Sequence, residues 1–556
     1  SGSSRERLAL FSGLAALVFF PEELSFGAGP ERTQVMLQLV LAGLGFCCLA
    51  SALGPLASGA LTFAIGPPAS PGSCVARGSP QVAGRLFQVP AAAGDLATAG
   101  HDGMVRPLAA GAGAAAVACG LLLAAAHQGR SRRGGMKRLA PKARGGEEHT
   151  KTLAPHDEWI RTLNLGAFGK EVNALGQRLQ SEQGPQDQAH LRKMVLWSRF
   201  CAVVGLATMW LPPNPLSVVF LSLWTHSAWT MMGHHVQHGG YNRTDDTGRY
   251  SSRGFAQGSL RRRLFDWFDW MLPEAWNVEH NQLHHYRLGE DADPDLLERN
   301  AATWKGSQRY TMPFLSMLLW KWAYYAPNTY KEMKVSEMAR KGKPLPDGFD
   351  PAAPLTLAEL MQGKAKGIFS LGEFLTRCIG PYVLWRFLVL PLPLALIGGP
   401  PMFLNALYNL LLADVLSNIH GFIVIVTNHA GNDLYRFQAG CKPKSPTFYL
   451  RAITSSANFA TGGNVTDFLH GWLNYQIEHH CWPDLSMLSY QRGQPELKAL
   501  CEKHGVPYVQ ENVFVRLKKT MDIAMGHTKM RVYPADLERQ EDAMVWNNER
   551  VRALVS

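Results

Sequence analysis

Arg199 and Arg243 bracket 43 residues without a single Lys, Arg, Asp or Glu. Few soluble helices tolerate such a run, whereas a membrane span needs roughly 20 mostly apolar residues. The run is long enough for two spans, and Pro212, Pro213, Asn214 and Pro215 break it near its middle. Residues 194–211 and 216–233 therefore read as a helical hairpin. Residues 379–399, Pro400 and Pro401, and residues 402–427 repeat the pattern as a second hairpin. Neither apex carries charge. The opposite ends carry Arg192, Lys193, Arg199, Lys364, Lys366, Arg377, Arg436 and Lys442, which places those ends on the cytoplasmic or stromal side. The mean hydropathy of −0.09 hides this contrast. The expected fold is all-α and integral to the membrane, with four spans and a helical soluble cap.

Histidine is the second constraint. Of 19 histidines, eight fall in three clusters: His234, His235 and His238; His280, His284 and His285; His479 and His480, with Gln476 opening the third. His234 and His238 are spaced to face one point on a helix, as are His280 and His284, and Gln476 and His480. Each cluster lies on the side of the membrane expected to carry the charged ends. If they meet, they bring about eight nitrogen or oxygen donors to one place, too many for a single zinc. Imidazole suits several first-row metals, so ligand type alone leaves the metal open. Soluble di-iron carboxylate bundles use Glu-x-x-His, zinc proteases His-Glu-x-x-His, and haem-binding cytochrome b5 modules His-Pro-Gly-Gly; these 556 residues contain none of the three. Nine cysteines without a CxxC give no disulfide framework and no zinc ribbon.

The three boxes together resemble those of the membrane-bound histidine-box fatty acid desaturases, and the likeness covers roughly residues 190–505. His234 and His238 match the first box, His280, His284 and His285 the second, and Gln476, His479 and His480 the Gln variant of the third, typical of front-end acyl and sphingoid desaturases. The family also uses a histidine at the end of the fourth span, a place that His429 fits. The family's asparagine one turn earlier is replaced by Ile425. The resemblance implies a catalytic set of His234, His238, His280, His284, His285, His429, Gln476, His479 and His480, with the eight histidines as ligands to two irons. It implies an O2-dependent fatty-acyl (acyl-lipid) desaturase. Two electrons would come from an external carrier, ferredoxin or cytochrome b5, and the substrate would be a membrane lipid or another acyl carrier. A lipid or carotenoid hydroxylase or ketolase of the same superfamily, or a non-catalytic metal-binding membrane protein, are the alternatives.

Around these boxes lie less specific segments. Residues 260–276 alternate arginines with aromatics and residues 312–325 are rich in Trp and Tyr, so both are expected at the headgroup level. Residues 331–376 read as a linker, residues 491–556 as a polar helical cap, and residues 151–190 as a soluble helical linker before a membrane domain at 191–505 and a polar extension at 506–556. Residues 1–150 carry apolar runs at 8–20, 33–76 and 107–126, then a basic tail from Arg130 to Arg144. They read either as extra membrane segments or as a composite plastid-type leader. His235 is expected beside the ligands or exposed. His226 and His420 lie too deep to share the metal, and His470 is a candidate to support it. Glu279, Asp291, Asp293, Asp295 and Glu478 are candidates to orient imidazole N–H groups. Arg386 and Asp414 each lie 14 residues from Pro400 and are expected to pair.

Overall fold

The computed structural model describes residues 153–544; the apolar and basic segments of residues 1–150 fall outside them, as do residues 545–556. The described part is overwhelmingly helical. Its only sheet among those residues is the two-residue parallel pair Tyr435–Arg436 with Arg531–Val532.

Four long segments form the central bundle. Helix Pro185–Thr208 starts nine residues earlier than expected, because Pro185 at its first turn and Asp187, whose carboxylate accepts the Gly184 N–H at 2.9 Å, make a strong N-terminus. It thus runs without a break through the expected boundary at residue 190. Helix Pro215–His226 returns alongside it, capped by Asn214. The third segment is not one helix: short α-turns alternate with π-turns at Leu375–Ile379 and Trp385–Val389, among Pro381, Pro391 and Pro393. Gly399, at φ 75°, reverses the chain in a conformation that only glycine adopts without strain. The fourth segment then climbs to Ile425 and Asn428. Among the described residues, one stretch, Leu392–Asn428, which includes the reversal at Gly399, is long and apolar enough to cross a membrane by length and composition.

Polar side chains hold the bundle where helix ends leave backbone groups open. Asn409 of the fourth segment donates to the Met209 and Leu211 carbonyls, both at 3.0 Å, and accepts the Asn214 N–H, also at 3.0 Å. Arg386 and Asp414 do pair: Nη2 lies 3.1 Å from Oδ1, with both side chains buried. Asp414 also accepts from Tyr382 at 2.8 Å and Trp270 at 2.9 Å, and Arg386 reaches Thr225 at 2.9 Å. Each of these two buried charges is thus partnered.

The first aromatic segment is less regular than one amphipathic helix. Residues 260–276 are helical only at Leu260–Asp266 and Pro273–Trp276. Trp267 and Trp276 are buried against each other, and the Arg263 guanidinium turns inward onto the carbonyls of Asp269, Met271, Arg377 and Cys378. Hydrogen bonds to four carbonyls compensate for burying this arginine. Helix Gln308–Trp320 continues as the π-turn Lys321–Tyr325. Asn418 bridges the change of pitch, accepting the Lys321 N–H at 2.8 Å and donating to the Met317 carbonyl at 3.0 Å. Residues 331–376 are more than a linker, since Leu355, Leu360, Phe369 and Phe374 join the main core.

Helix Leu165–Ser181 packs on helix Pro446–Thr454 and helix Met487–His504, which flank the third histidine cluster. It approaches closely: a Cβ at Gly169 would sit 2.6 Å from Pro446, and one at Gly176 would sit 2.2 Å from the Trp482 ring.

Candidate metal centre

The first histidine cluster follows directly on helix Pro215–His226 through a π-turn, Ser227–Gly233, into the short helix His234–Gln237. The second lies within another π-turn, Asn277–His284. In a π-turn residues five apart close one hydrogen-bonded turn. His280 and His285 therefore point the same way, and their Nε2 atoms lie 3.2 Å apart. On a regular α-helix the favoured partner of His280 would have been His284. The third cluster rides on the short helix Gln476–Cys481, held by the Asn458 carboxamide oxygen, which accepts the Ile477 N–H at 2.9 Å.

These elements sort the donors into two main sets, and His280, His284 and Asp295 form a third grouping that links them. His234, His238, His280, His285 and His479 present ring nitrogens within 4.8 Å of one another; His284, His429 and His480 do the same. Gln476 joins the second set, its Nε2 2.9 Å from His429 Nε2 and 3.1 Å from His480 Nε2. The sets abut where the His285 and His480 rings stack, 4.2 Å between centroids. Neighbours in sequence are thus divided: His284 from His285, and His479 from His480.

Second partners fix which nitrogen faces inward. His479 Nδ1 donates to the Tyr490 hydroxyl at 3.2 Å, and that hydroxyl in turn donates to the Trp482 carbonyl at 3.0 Å. His284 Nδ1 lies 2.9 Å from Asp293 Oδ1, and His429 Nδ1 3.3 Å from the Ser455 carbonyl. Each such bond leaves Nε2 with a free lone pair toward the centre. Trp276 stacks on His280, 4.6 Å between centroids.

A cation fits this arrangement. The Nε2 atoms of His234, His280, His285 and His479 form a chain of three contacts, at 3.0, 3.2 and 3.1 Å. A neutral Nε2 takes part in one hydrogen bond at most, so no protonation pattern satisfies all three contacts. Nitrogens bound at right angles to one first-row metal ion stand about 3 Å apart, given bonds of roughly 2.1 Å. His238 Nε2 and Gln476 Oε1 are buried and have no hydrogen-bond partner. Burial, followed by mutual repulsion among the rings, pulls His234, His238, His280, His285, His479 and His480 well below the usual histidine range. Burial also takes His429 to about 3. The rings are therefore neutral at pH 7, the form that ligates metal. His284 differs: burial pulls it down, but the Asp293 and Asp295 carboxylates outweigh that and raise it.

Both sets contribute to the lining of one cavity of about 230 Å3. His234, His280, His284, His429 and Gln476 are the members that line it. Its walls include Trp229, Trp320, Leu319, Phe422 and Ile425, and no Lys or Arg lines it.

The remaining candidates fall into place around this centre. His235 is fully buried, not exposed, with Nδ1 2.8 Å from the Met231 carbonyl, and it belongs to neither set. His226 and His420 stack on each other at 3.8 Å, away from both sets. His470 does not support the centre: it packs on Phe459, with Nδ1 2.8 Å from the Thr466 carbonyl, because a tight turn at Gly471 and Trp472 redirects the chain before Gln476. Of the five carboxylates, Asp293 holds His284 and Asp295 lies 3.8 Å from the same ring. Asp291 is exposed and pairs with Arg436. Glu478 turns away, to Asn458 at 2.8 Å and Tyr508 at 2.7 Å. Glu279 is buried with neither oxygen hydrogen-bonded to an imidazole. Sequence reasoning missed Tyr490, Ser455 and Asn458, whose residue types carry no signal for such roles.

Residues 208–512, more than half of the chain, match the family model described as Fatty acid desaturase. Among curated proteins, the chain is 22% identical over 375 residues to the NADPH-dependent stearoyl-CoA 9-desaturase of Mycobacterium tuberculosis, covering 64% of this chain and 78% of the relative. It is 25% identical over 244 residues to the sn-1 linoleoyl-lipid 6-desaturase of Synechocystis, covering 42% of this chain and 60% of the relative. It is 46% identical over 46 residues to the Delta(8)-fatty-acid desaturase of Euglena gracilis, covering 8% and 11%. No solved structure matches. The histidine pocket, the cavity it lines and these matches agree: the chain belongs to the fatty acid desaturase family of oxidoreductases.

Proposed function

We propose that this protein is a multi-pass membrane acyl-lipid desaturase that holds two irons, one in each donor set, and introduces a C=C bond using O2 and two electrons from a separate carrier, ferredoxin or cytochrome b5. The observation that carries this reading is the division of eight histidines and Gln476 into two adjacent sets beside one apolar cavity. When bound, the paired irons supply the oxidising power needed to remove hydrogen from an unactivated alkyl chain.

The protein's own residues do the rest. His234, His238, His280, His285 and His479 would hold one ion; His284, His429 and His480, with Gln476, would hold the other. Asp293, Tyr490 and the Ser455 carbonyl keep the ligating nitrogens aimed inward. Trp229, Trp320 and Tyr325, with ring centroids within 6 Å of one another, form an aromatic wall that would exclude water and limit how the chain can lie. Positioning of this kind selects one methylene pair among many that are chemically alike.

Four spans are the reading that best accounts for the outside of the bundle. Leu196, Val203, Leu216, Leu384, Leu388, Leu396 and Leu412 are exposed along its length, a belt that water would not favour but lipid would. Buried inside the same depth, the Arg386–Asp414 pair is neutralised as intramembrane charges must be.

The test is expression of the full chain in a host of known lipid composition, with fatty-acid profiling by mass. A new product lighter by two hydrogens, lost together with iron when His284 or His479 is replaced by Ala, is the expected outcome. Full activity with both histidines replaced would end the reading, and a product heavier by one oxygen would make the protein a hydroxylase.

A further inference from the structure

Resting on that reading, we infer that helix Gln308–Trp320 lies in the membrane boundary as the outer wall of the cavity, and that acyl chains enter past it sideways from the bilayer while still attached to a phospholipid.

Depth along the fourth segment locates this helix. From Pro400 at the apex to Asn418 are 18 residues, about 27 Å of helix. The hydrocarbon core is about 30 Å thick, so Asn418 stands near its far boundary. Asn418 is the residue that clamps Met317 and Lys321, at 3.0 and 2.8 Å. Helix Gln308–Trp320 is therefore fixed at the level where headgroups meet acyl chains. Ile425 is 25 residues from Pro400, about 38 Å, so the histidine centre stands above that level and the cavity leads up to it.

The helix has the two faces such a position requires. Met312, Pro313, Leu315, Ser316 and Leu319 line the cavity. Phe314 and Leu318, at i and i+4, are 51% and 39% exposed, and Tyr310 one turn earlier is 55% exposed although its ring lies 6.0 Å from His527. A single helix thus separates the cavity from whatever surrounds the protein, and its outer stripe is apolar. Lys305 and Arg309 are exposed at its N-terminal end, placed to meet lipid phosphates. No Lys or Arg lines the cavity itself, so a charged headgroup stays outside it. A phospholipid satisfies all of these features: its chain fits the apolar interior, and its headgroup stays at the cationic rim.

Two measurements on the full chain in phosphatidylcholine–phosphatidylglycerol vesicles test this. In the first, the photo-crosslinker p-benzoylphenylalanine replaces Phe314 or, as a control, the exposed Lys503. Adducts to phospholipid acyl chains at 314 and none at 503 are expected; no lipid adduct at 314 would overturn the placement whether or not the protein is active. In the second, the vesicles contain acyl chains only as phospholipid, and an electron donor is supplied. Desaturated phospholipid is expected, with at least a tenfold lower rate for Phe314→Asp at unchanged metal content. Product that forms only when acyl-CoA is added would overturn the sideways route and leave the desaturase reading intact. Product from neither source would count against the desaturase reading itself, with the crosslink still deciding where the helix lies.

Discussion

Asp293 Oδ1 lies 2.9 Å from His284 Nδ1, and the same carboxylate accepts the backbone N–H groups of Gly289 and Asp295 at 3.1 and 3.0 Å. The ring is thereby fixed to a rigid loop and its Nε2 is aimed at the second donor set. Asp293→Asn keeps the size and removes the charge. We expect metal affinity or turnover to fall about 10- to 100-fold with the fold retained. Competitive chelation followed by metal analysis reads this directly.

Because His479 and His480 serve different sets, their substitutions should differ in kind from a general loss of folding. His480→Ala removes one of three imidazoles from the smaller set and none from the larger. Metal content is expected to drop from about two ions per chain toward one, since only one ion loses an imidazole ligand. Elemental analysis of the purified protein checks it; loss of both ions together would show the sets to be a single site.

The Arg386–Asp414 pair gives a stability prediction. Asp414→Asn leaves a buried guanidinium without its carboxylate and should cost about 3–5 kcal/mol, whereas replacing both partners with apolar residues of similar size should cost far less. Thermal unfolding in detergent of the two single variants and the double variant completes the cycle. A loss in the double variant equal to the sum of the two single losses would mean that the two side chains do not act as a pair.

His190 carries a pH prediction. Burial against Trp472 takes it down to about 4, although Asn464, 3.2 Å away, supports the charged form. Its folded value thus lies below the unfolded value near 6.5. Between pH 6.5 and 4 the unfolded chain binds a proton that the folded chain does not, so stability falls as pH falls through that window. The full effect is roughly 3 kcal/mol by pH 4. Melting temperatures of the parent and His190→Gln at pH 7.5 and pH 5 should show a smaller acid loss in the variant.

The apolar runs, the prolines and Gly399 at the apices, and the i, i+4 histidines were all legible in the chain, because each is a local property of spacing and side-chain type. So was the Arg386–Asp414 pair, since two charges equally far from a helical reversal must come level. What the sequence could not divulge was which histidine keeps company with which. That depends on the π-turns at Ser227–Gly233 and Asn277–His284, which rotate the rings by more than any α-helical count allows, and no residue pattern announces them. Tertiary packing alone decided that Trp267 and Arg263 turn inward, that Asp293 rather than Glu478 orients a ring, and that His470 faces away. In each case the outcome was set by which buried carbonyls, amides and rings lacked a partner, and only the assembled fold defines that.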